Sequence, residues 1–230
     1  MVLAGGTGSR VGAPVPKQFL PLGDRTILEH SVSAFLEHPG VDDVLVVMAS
    51  GHVDRALALL AGLPRPTRVV EGGANRSDST RAALAALDAG TDRVLLHDAA
   101  RPLVSRRIID DCLTALADHP AVNVAIPATD TIMEVSENGV LRSVPPRERM
   151  WQVQTPQCFH VPVIRAAYDL AARDPAFTAT DDTSVVRRYL PDTPIQIVTG
   201  DPVNLKITNA LDLRVAELLL TDPEVSQVRW

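Results

Sequence analysis

The chain alternates short runs of aliphatic residues with longer stretches in which apolar positions recur every three or four residues. Continuous apolar runs are typical of strands buried on both faces, whereas the longer spacing is typical of helices that pack one stripe against a sheet. This pattern predicts an α/β fold: a single-domain, open, mostly parallel sheet flanked by crossover helices. The predicted strands are Met1–Ala4, Asp43–Met48, Thr67–Val70, Arg93–His97, Val122–Ile126, Ile195–Thr199 and Val203–Ile207.

Helical spacing is clearest after the first strand. There the apolar positions on one face are Ile27, Leu28, Val32, Phe35 and Leu36. The same periodicity predicts helices over His52–Leu60, Ser77–Leu87, Ser105–Ala117, Val161–Arg173 and Asn209–Leu220.

The regular alternation stops in a charged segment, Thr131–Gln152, that has few apolar members. Asn138-Gly139 is a signal for a tight turn between strands, and the Pro145-Pro146 pair disfavours a helix. The segment therefore predicts a β-hairpin arm that projects from the sheet.

Composition limits the classes of partner. With 46% hydrophobic residues, 230 residues can bury one continuous core, which favours one domain over 1–230. A formal net charge of -6 offers no broad positive field for nucleic acid, so a small-molecule partner is expected. No apolar stretch is long enough for a membrane span.

The two cysteines and the chain start add smaller expectations. Cys112 and Cys158 lack metal-ligand spacing, and this fits a reducing cytoplasm. Because the first strand begins at Met1 itself, a natural start further upstream is also an expectation.

A glycine-rich loop, Leu3–Gly12, directly follows the first strand. Three glycines within Gly5–Gly8 allow backbone N–H groups to curve around an anion, which predicts a phosphate cradle. The spacing excludes two familiar loops: the dinucleotide fingerprint needs glycine at Val11, and the P-loop needs lysine at Ala13. An ordinary glycine-rich turn is the alternative.

Three cations accompany this loop. Arg10 and Lys17 follow the cradle, where they can neutralise charge that develops as a phosphorus–oxygen bond breaks. Lys206 alternates with apolar Leu205 and Ile207, so in a strand it would project to the other face and could face a cleft. A triad of nucleophile, base and orienting acid is not recognisable in the sequence, which suits a nucleophile that is already anionic.

The segments Ala4–Arg10 and Pro16–Leu20 resemble the opening of the polyol-phosphate cytidylyltransferases. This family joins CTP to 2-C-methyl-D-erythritol 4-phosphate or ribitol 5-phosphate and releases pyrophosphate. Further segments match the family in order: Gly72–Ser79, Leu96–Pro102, Asp130–Thr131, Gln154–Gln157, Thr180–Asp182 and Gly200–Thr208. The resemblance implies a Rossmann-like nucleotidyltransferase sheet, Mg²⁺ as cofactor, and CTP and a polyol phosphate as partners.

The resemblance also implies roles for individual residues. The implied catalytic residues are Arg10, Lys17, Lys206 and Arg147. The implied nucleotide-binding residues are Ala4, Gly5, Gly6, Gly8, Gly73, Ala74, Ser79, Asp98 and Ala99. The implied substrate-binding residues are Asp98, Arg101, Thr131, Arg147, Thr155 and Thr180, with Asp98 also the candidate metal ligand.

Several of these residues have plainer interpretations. Ala74 stands where some members carry an acidic residue, so a backbone contact is implied there. The hydroxyls of Ser77–Ser79 are equally typical of a helix N-cap, and Asp98 with Arg101 could form an internal ion pair. His97 is expected to be a structural histidine rather than a base.

The arm, about 131–152, reaches a second subunit in relatives. The resemblance therefore implies a homodimer in which Thr131 and Arg147 bind the phosphorylated substrate in the other chain's cleft. Arg149 is a second candidate, and spacing to Thr155 favours Arg147. A solvated charged hairpin is the alternative.

The motifs leave the polyol open. Gly5–Gly8 and Lys17–Leu20 are similar to ribitol-phosphate enzymes, whereas His97–Pro102 is more similar to methylerythritol-phosphate enzymes, which we favour. Ribitol 5-phosphate would direct the product to cell-wall polymers instead of isoprenoid precursors. Two further classes stay open: an NDP-sugar or molybdopterin nucleotidyltransferase, and a noncatalytic CTP-binding module.

Overall fold

The computed structural model describes residues 1–6, 15–174 and 176–221. Its strands are β1 (Val2–Ala4), β2 (Pro21–Leu22), β3 (Arg25–Thr26), β4 (Leu45–Met48), β5 (Arg68–Glu71), β6 (Arg93–Asp98), β7 (Ala121–Pro127), β8 (Glu134–Val135), β9 (Leu141–Ser143), β10 (Trp151–His160) and β11 (Ile195–Thr199). Seven of them form one sheet in the order β11-β7-β10-β6-β1-β4-β5. Strand β10 runs antiparallel to β6 and β7, and the other pairings in this sheet are parallel. The predicted open, mostly parallel sheet is confirmed.

The helices are α1 (Ile27–Leu36), α2 (Val53–Leu60), α3 (Arg76–Ala85), α4 (Arg106–Asp118), α5 (Val161–Ala171), α6 (Asp182–Tyr189) and α7 (Ala210–Thr221). All predicted helices are present within a few residues of their expected bounds, and α6 is additional. Side-chain caps begin several of them: Thr26 and Glu29 form a capping box at α1, and Ser105 accepts from the backbone N–H of Ile108 at α4. Within the described ranges, no helix has the length and apolar character of a membrane span.

Alternate residues of the strands pack against different helices. Val46 and Met48 of β4 join the cluster that contains α1, α2 and α4, whereas Leu45 and Val47 contact Ala83 of α3. Phe159 of β10 packs with α5 and α6 in a further cluster. The sheet is therefore covered by helices on both faces, as its continuous apolar strands require.

One predicted strand is absent, and one strand of the main sheet was not predicted. Val203–Ile207 is not a strand, because its hydrogen bonds do not form a ladder: the Ile207 N–H donates to the Ala100 carbonyl after β6, and the Asn204 side chain donates from Nδ2 to the Thr155 carbonyl of β10. Strand β10 was missed because its buried residues include Gln154, Thr155 and Gln157, which break the apolar pattern of an interior strand.

The arm is a short hairpin of β8 and β9, paired antiparallel. Its turn contains Gly139 at φ 76°, a left-handed conformation that glycine adopts without strain. Large apolar side chains are exposed along it, at Ile132, Met133, Val135, Val140, Leu141 and Val144. The predicted projecting hairpin is thus present, with shorter paired segments than its 131–152 span.

Gln157 ties β10 to the start of α6 from within the core. It is fully buried, and its Oε1 accepts from the backbone N–H groups of Asp182 (2.9 Å) and Thr183 (3.2 Å). Its Nε2 donates to Asn123 Oδ1 at 2.9 Å. A leucine of similar size could replace none of these bonds.

We expect Gln157→Leu to lower the free energy of unfolding by about 2–4 kcal/mol, because it removes the acceptor of the buried Asp182 N–H and the half-buried Thr183 N–H. Urea denaturation measures this loss. The matched control is Gln196→Leu, an exposed strand position, which should change stability by less than about 0.5 kcal/mol. Equal effects of the two substitutions would contradict the role of Gln157.

Candidate active site

A cleft of about 270 Å³ opens at the carboxyl ends of β1, β5 and β6. The chain proceeds from β1 outward to β4 and β5 and then crosses to β6 on the other side of β1, so the cleft lies at a switch in strand order, where open α/β sheets bind ligands. Ten predicted site residues line it: Ala4, Gly5, Gly6, Lys17, Gly73, Ala74, Ser79, Asp98, Ala99 and Lys206. Arg10 and Gly8 lie outside the described residues.

Lys17 is held in the cleft by the short 3₁₀ turn Lys17–Phe19. Its Nζ donates to the Ile207 carbonyl at 2.9 Å, beside the other lysine of the cleft. The buried side chain of Gln18 donates from Nε2 to the Ala4 carbonyl at 2.7 Å. This pair of bonds fixes the cation to the end of β1.

Lys206 reaches the cleft from an irregular loop and not from the strand on which its orientation was predicted. Its Nζ lies 2.7 Å from Oδ2 of Asp98, at the end of β6. Oδ1 of Asp98 is 3.9 Å from Nη2 of Arg76. The described ion pairs of Asp98 are therefore with these two cations rather than with Arg101, which was the internal pair considered from the sequence.

The two cations set the ionisation of Asp98. Burial alone would raise the pKa of this carboxyl, but Lys206 and then Arg76 more than offset it and hold the pKa below its usual value. Asp98 is therefore an ionised carboxylate at neutral pH. The cleft combines one such carboxylate with three cations among the described residues that line it.

The number of lysines in the sequence is a further signal for the two lysines of the cleft. The chain has two lysines among 22 basic residues, and both, Lys17 and Lys206, line this cleft. Arg76 was missed, although it lies between residues predicted to bind the nucleotide, because the resemblance assigned it no role.

The wall opposite Asp98 is the start of α3. Asn75 is its N-cap and accepts from the Asp78 N–H at 2.9 Å, so Asn75, and not the suggested Ser77–Ser79 segment, caps the helix. The Ser79 hydroxyl donates to the Asn75 carbonyl at 2.9 Å and leaves its oxygen lone pairs for another donor. A Cβ at Gly73 would clash with Cβ of Asp78, so a residue with a side chain does not fit there.

Arg101 and Thr155 hold backbone groups of the segments around the cleft. The buried Arg101 donates from Nη1 to the Asn204 carbonyl at 2.7 Å and from Nη2 to the Val153 carbonyl at 3.2 Å. Thr155 Oγ1 accepts from the Asp98 N–H at 3.1 Å. Direct contact of either residue with substrate stays a prediction.

The remaining predicted residues lie apart from this cleft. Thr131 and Arg147 are exposed on and beside the arm, where Arg147 Nη1 donates to the Thr129 carbonyl at 3.2 Å. Thr180 is exposed in the loop before α6. Asp182, two residues further on, is fully buried with Oδ2 2.6 Å from Nη2 of Arg76, a contact that sequence reasoning did not anticipate.

The donor set can be tested against Mg²⁺. Among the described residues, no group of three His, Cys, Asp or Glu side chains could hold a metal on its own. Mg²⁺ in nucleotide sites commonly takes one or two carboxylates and completes its shell with phosphates and water. The ionised Asp98 fits that requirement as a single protein ligand.

His97 precedes Asp98 and is fully buried. Its Nε2 lies 3.0 Å from the Arg101 carbonyl, and its Nδ1 lies 3.0 Å from Thr155 Oγ1. Because a carbonyl only accepts, Nε2 carries the proton and Nδ1 accepts from the threonine hydroxyl. These contacts agree with the structural interpretation of His97.

We expect the His97 ring to titrate with a pKa of about 4, because burial disfavours the imidazolium. An unfolded histidine has a pKa of about 6.5. Because the pKa in the folded protein is lower, the neutral buried ring contributes fully to stability above about pH 6.5, and this contribution is lost as pH falls toward 4. The ring resonances in an NMR pH titration are the best readout, because Asp98 also titrates in acid. A midpoint near 6.5 would contradict the assignment.

The arrangement suits group transfer between phosphates by electrostatic means. Backbone N–H groups at Gly5 and Gly6, two lysines and Arg76 can bind anions, and Asp98 can accept from hydroxyls or bind a cation. No nucleophilic side chain paired with a general base lines the described cleft. Positioning and charge are therefore the means of catalysis that it offers.

Comparisons with known proteins agree with this chemistry. A family model described as IspD: 2-C-methyl-D-erythritol 4-phosphate cytidylyltransferase matches residues 1–222. A 2-C-methyl-D-erythritol 4-phosphate cytidylyltransferase from Thermobifida fusca is 50% identical over 227 residues, which cover 95% of this chain and 91% of that protein. The bifunctional ribulose 5-phosphate reductase/CDP-ribitol pyrophosphorylase Bcs1 from Haemophilus influenzae is 37% identical, over 95% of this chain and 47% of that protein. The solved 4-diphosphocytidyl-2C-methyl-D-erythritol synthase from Anaerococcus prevotii has a TM-score of 0.86 and 28% identity, over 95% of this chain and 93% of that one.

Proposed function

The chain belongs to the family of 2-C-methyl-D-erythritol 4-phosphate cytidylyltransferases, and we propose that it transfers CMP from CTP to 2-C-methyl-D-erythritol 4-phosphate, releasing pyrophosphate. The observation that carries this proposal is the convergence of Lys17, Lys206 and Asp98 in one cleft at the end of β1 and β6. The 50% identity to the Thermobifida fusca protein supports the same substrate. The product serves isoprenoid precursor synthesis in this proposal.

The reaction joins a phosphate oxygen of the polyol phosphate to the α-phosphorus of CTP and breaks the bond to the β-phosphate bridging oxygen. Negative charge then moves onto the departing pyrophosphate, so cations near that group lower the barrier. In the proposal Lys17, with Arg10, stabilises the β- and γ-phosphates, and Lys206 contacts the α-phosphate. The anionic nucleophile needs no strong base.

The nucleoside would lie along the start of α3. Gly73, Ala74 and Ser79 line the cleft there. The two peptide groups and the serine hydroxyl would contact the cytosine. Asp98 and Ala99, at the end of β6, would contact the ribose. This orientation directs the triphosphate toward the glycine loop after β1.

Magnesium is part of the proposal. Asp98 would hold it together with phosphate oxygens, and the ion would supply positive charge to the phosphates when bound. Arg101, Thr155 and Thr180 remain proposed contributors to the polyol subsite. A cytoplasmic location is also proposed, supported by two free buried thiols at Cys112 and Cys158.

Ribitol 5-phosphate is the second candidate substrate. The observation that favours it is the 37% identity to a Haemophilus influenzae protein whose name includes CDP-ribitol pyrophosphorylase. One additional methyl group in a pocket is worth about 1–3 kcal/mol of discrimination, so a small number of side chains can decide between the two polyols.

The first experiment follows pyrophosphate release from CTP with each polyol phosphate in parallel, with Mg²⁺ and with EDTA. We expect Mg²⁺-dependent turnover with methylerythritol phosphate to exceed that with ribitol phosphate. Lys17→Ala should lower turnover by about 10²-fold or more, because it removes a cation matched to developing charge. Arg106→Ala, at a largely exposed position on α4, is the matched control and should retain activity. Faster turnover with ribitol phosphate would reassign the substrate, and silence with both would refute the proposal.

The arm is proposed to complete the site in a homodimer. Thr131 and Arg147 lie apart from the cleft of their own chain, and the exposed apolar residues of the arm provide a surface for a second copy. Arg147 of one subunit would then bind the substrate phosphate in the cleft of the other.

Mixing two inactive variants tests this arrangement. We expect Lys17→Ala and Arg147→Ala to be nearly inactive alone, and a mixture refolded together to regain activity, because one cleft of each mixed dimer has both native residues. Pyrophosphate release and size-exclusion chromatography measure the two requirements. No recovery in a mixture shown to contain mixed dimers would contradict sharing of the site.

A further inference from the structure

Four charged side chains form a line of alternating sign from the protein interior to the cleft. Arg76 Nη2 lies 2.6 Å from Oδ2 of Asp182 and 3.9 Å from Oδ1 of Asp98. The other oxygen of Asp98 lies 2.7 Å from Lys206 Nζ. The guanidinium of Arg76 therefore stands between a buried carboxylate and the carboxylate of the cleft.

Asp182 is the fixed end of this line. It is fully buried in the first turn of α6. Its Oδ1 accepts from Tyr168 of α5 at 2.6 Å and from Thr80 of α3 at 2.9 Å, and its backbone N–H donates to Gln157 of β10 at 2.9 Å. Because four elements meet at this residue, its carboxylate cannot move to follow the arginine.

Arg76 is bound mainly by charge. Burial alone would lower the pKa of its guanidinium, but the Asp182 carboxylate and then Asp98 raise it above the usual value. Its Nη1 is buried and has no hydrogen-bond partner among the described residues. The guanidinium is thus held close to Asp182 and farther from Asp98.

We propose that Arg76 is a positioning residue for nucleotide binding: Asp182 anchors its guanidinium, so that it orients the Asp98 carboxylate without closing on it. Without the charge of Asp182, the arginine would have Asp98 as its remaining carboxylate partner in the described site. A close pair between them would withdraw Asp98 from the nucleotide. This inference rests on the proposed function, because it assumes that CTP binds in this cleft.

The test measures CTP affinity by isothermal titration calorimetry, which does not require the polyol substrate. We expect Asp182→Asn to weaken CTP binding by about tenfold or more, as loss of a supporting partner does in other sites. The amide oxygen can still accept from Tyr168 and Thr80, so the fold should persist, and thermal melting checks it. The KM for the polyol phosphate should change little in comparison.

A control site lies at the amino ends of β4 and β5, opposite the ends that form the cleft. Arg68 also bridges two carboxylates, with Nη2 2.7 Å from Asp43 and Nη1 3.3 Å from Asp88. Asp43→Asn therefore also removes a carboxylate charge from an arginine that bridges two carboxylates, at a more exposed place away from the cleft. Its CTP affinity should equal that of the native chain.

A double-mutant cycle separates positioning from general damage. If Asp182 acts through Arg76, Asp182→Asn should have a much smaller effect on CTP affinity in an Arg76→Gln background. Equal effects in both backgrounds would overturn the proposal. So would native CTP affinity in a folded Asp182→Asn protein.

Arg76→Lys covers the case in which Asp182→Asn fails to fold. Lysine keeps a cation beside the buried carboxylate, but its compact ammonium cannot span two carboxylates as the planar guanidinium does. We expect a several-fold loss of CTP affinity, and native affinity would overturn the proposal. If the native chain itself bound no CTP, the proposed function would fail, and this inference with it.

Discussion

The cleft depends on three buried polar side chains of β10, the antiparallel strand inserted between β6 and β7. Gln154 holds the loop that carries Lys206, through the Asp201 carbonyl and the Asn204 amide. Thr155 holds the backbone of Asp98, and Gln157 accepts from the first backbone N–H groups of α6. Buried amides and hydroxyls must find partners, so each of these side chains allows its loop few positions. One strand thereby sets the relative places of the Lys206 loop, the end of β6 and the start of α6.

The same polar residues explain why the sequence pattern did not predict β10. Continuous apolar runs correctly predicted the other strands of the main sheet, and the pattern is strongest in strands such as β4 and β7, which are buried on both faces. Much of strand β10 is buried as well, but its glutamines and threonine give it a polar sequence pattern that is typical of a loop. Their burial is explained only by their hydrogen-bond partners, which lie far away in the sequence. The opposite error at Val203–Ile207 arose because its alternating apolar residues, Leu205 and Ile207, pack with Ile27 of α1 and Ala216 of α7, while its backbone forms no strand.

The residues of the candidate site also fall into those that the sequence predicted and those that it did not. Residues at strand ends, such as Asp98 and those after β1, were predicted correctly to lie together, since parallel strands bring their carboxyl ends to one edge. Contacts between distant segments, such as Arg76 with Asp182, follow from the packing of α3 against α5 and α6, and no local pattern in the sequence encodes them. The arm residues lie in neither category, because their proposed partner is another molecule.

The concentration of both lysines in one cleft has a practical consequence for handling the protein. Reagents that couple to lysine amines, such as succinimidyl dyes, amine-reactive resins and lysine-directed cross-linkers, have these two side chains as their lysine targets. Attachment by such chemistry would block the cleft. Both native cysteines are buried free thiols, so a cysteine introduced on an exposed helix would provide a thiol handle for dyes or surfaces and leave both lysines unmodified.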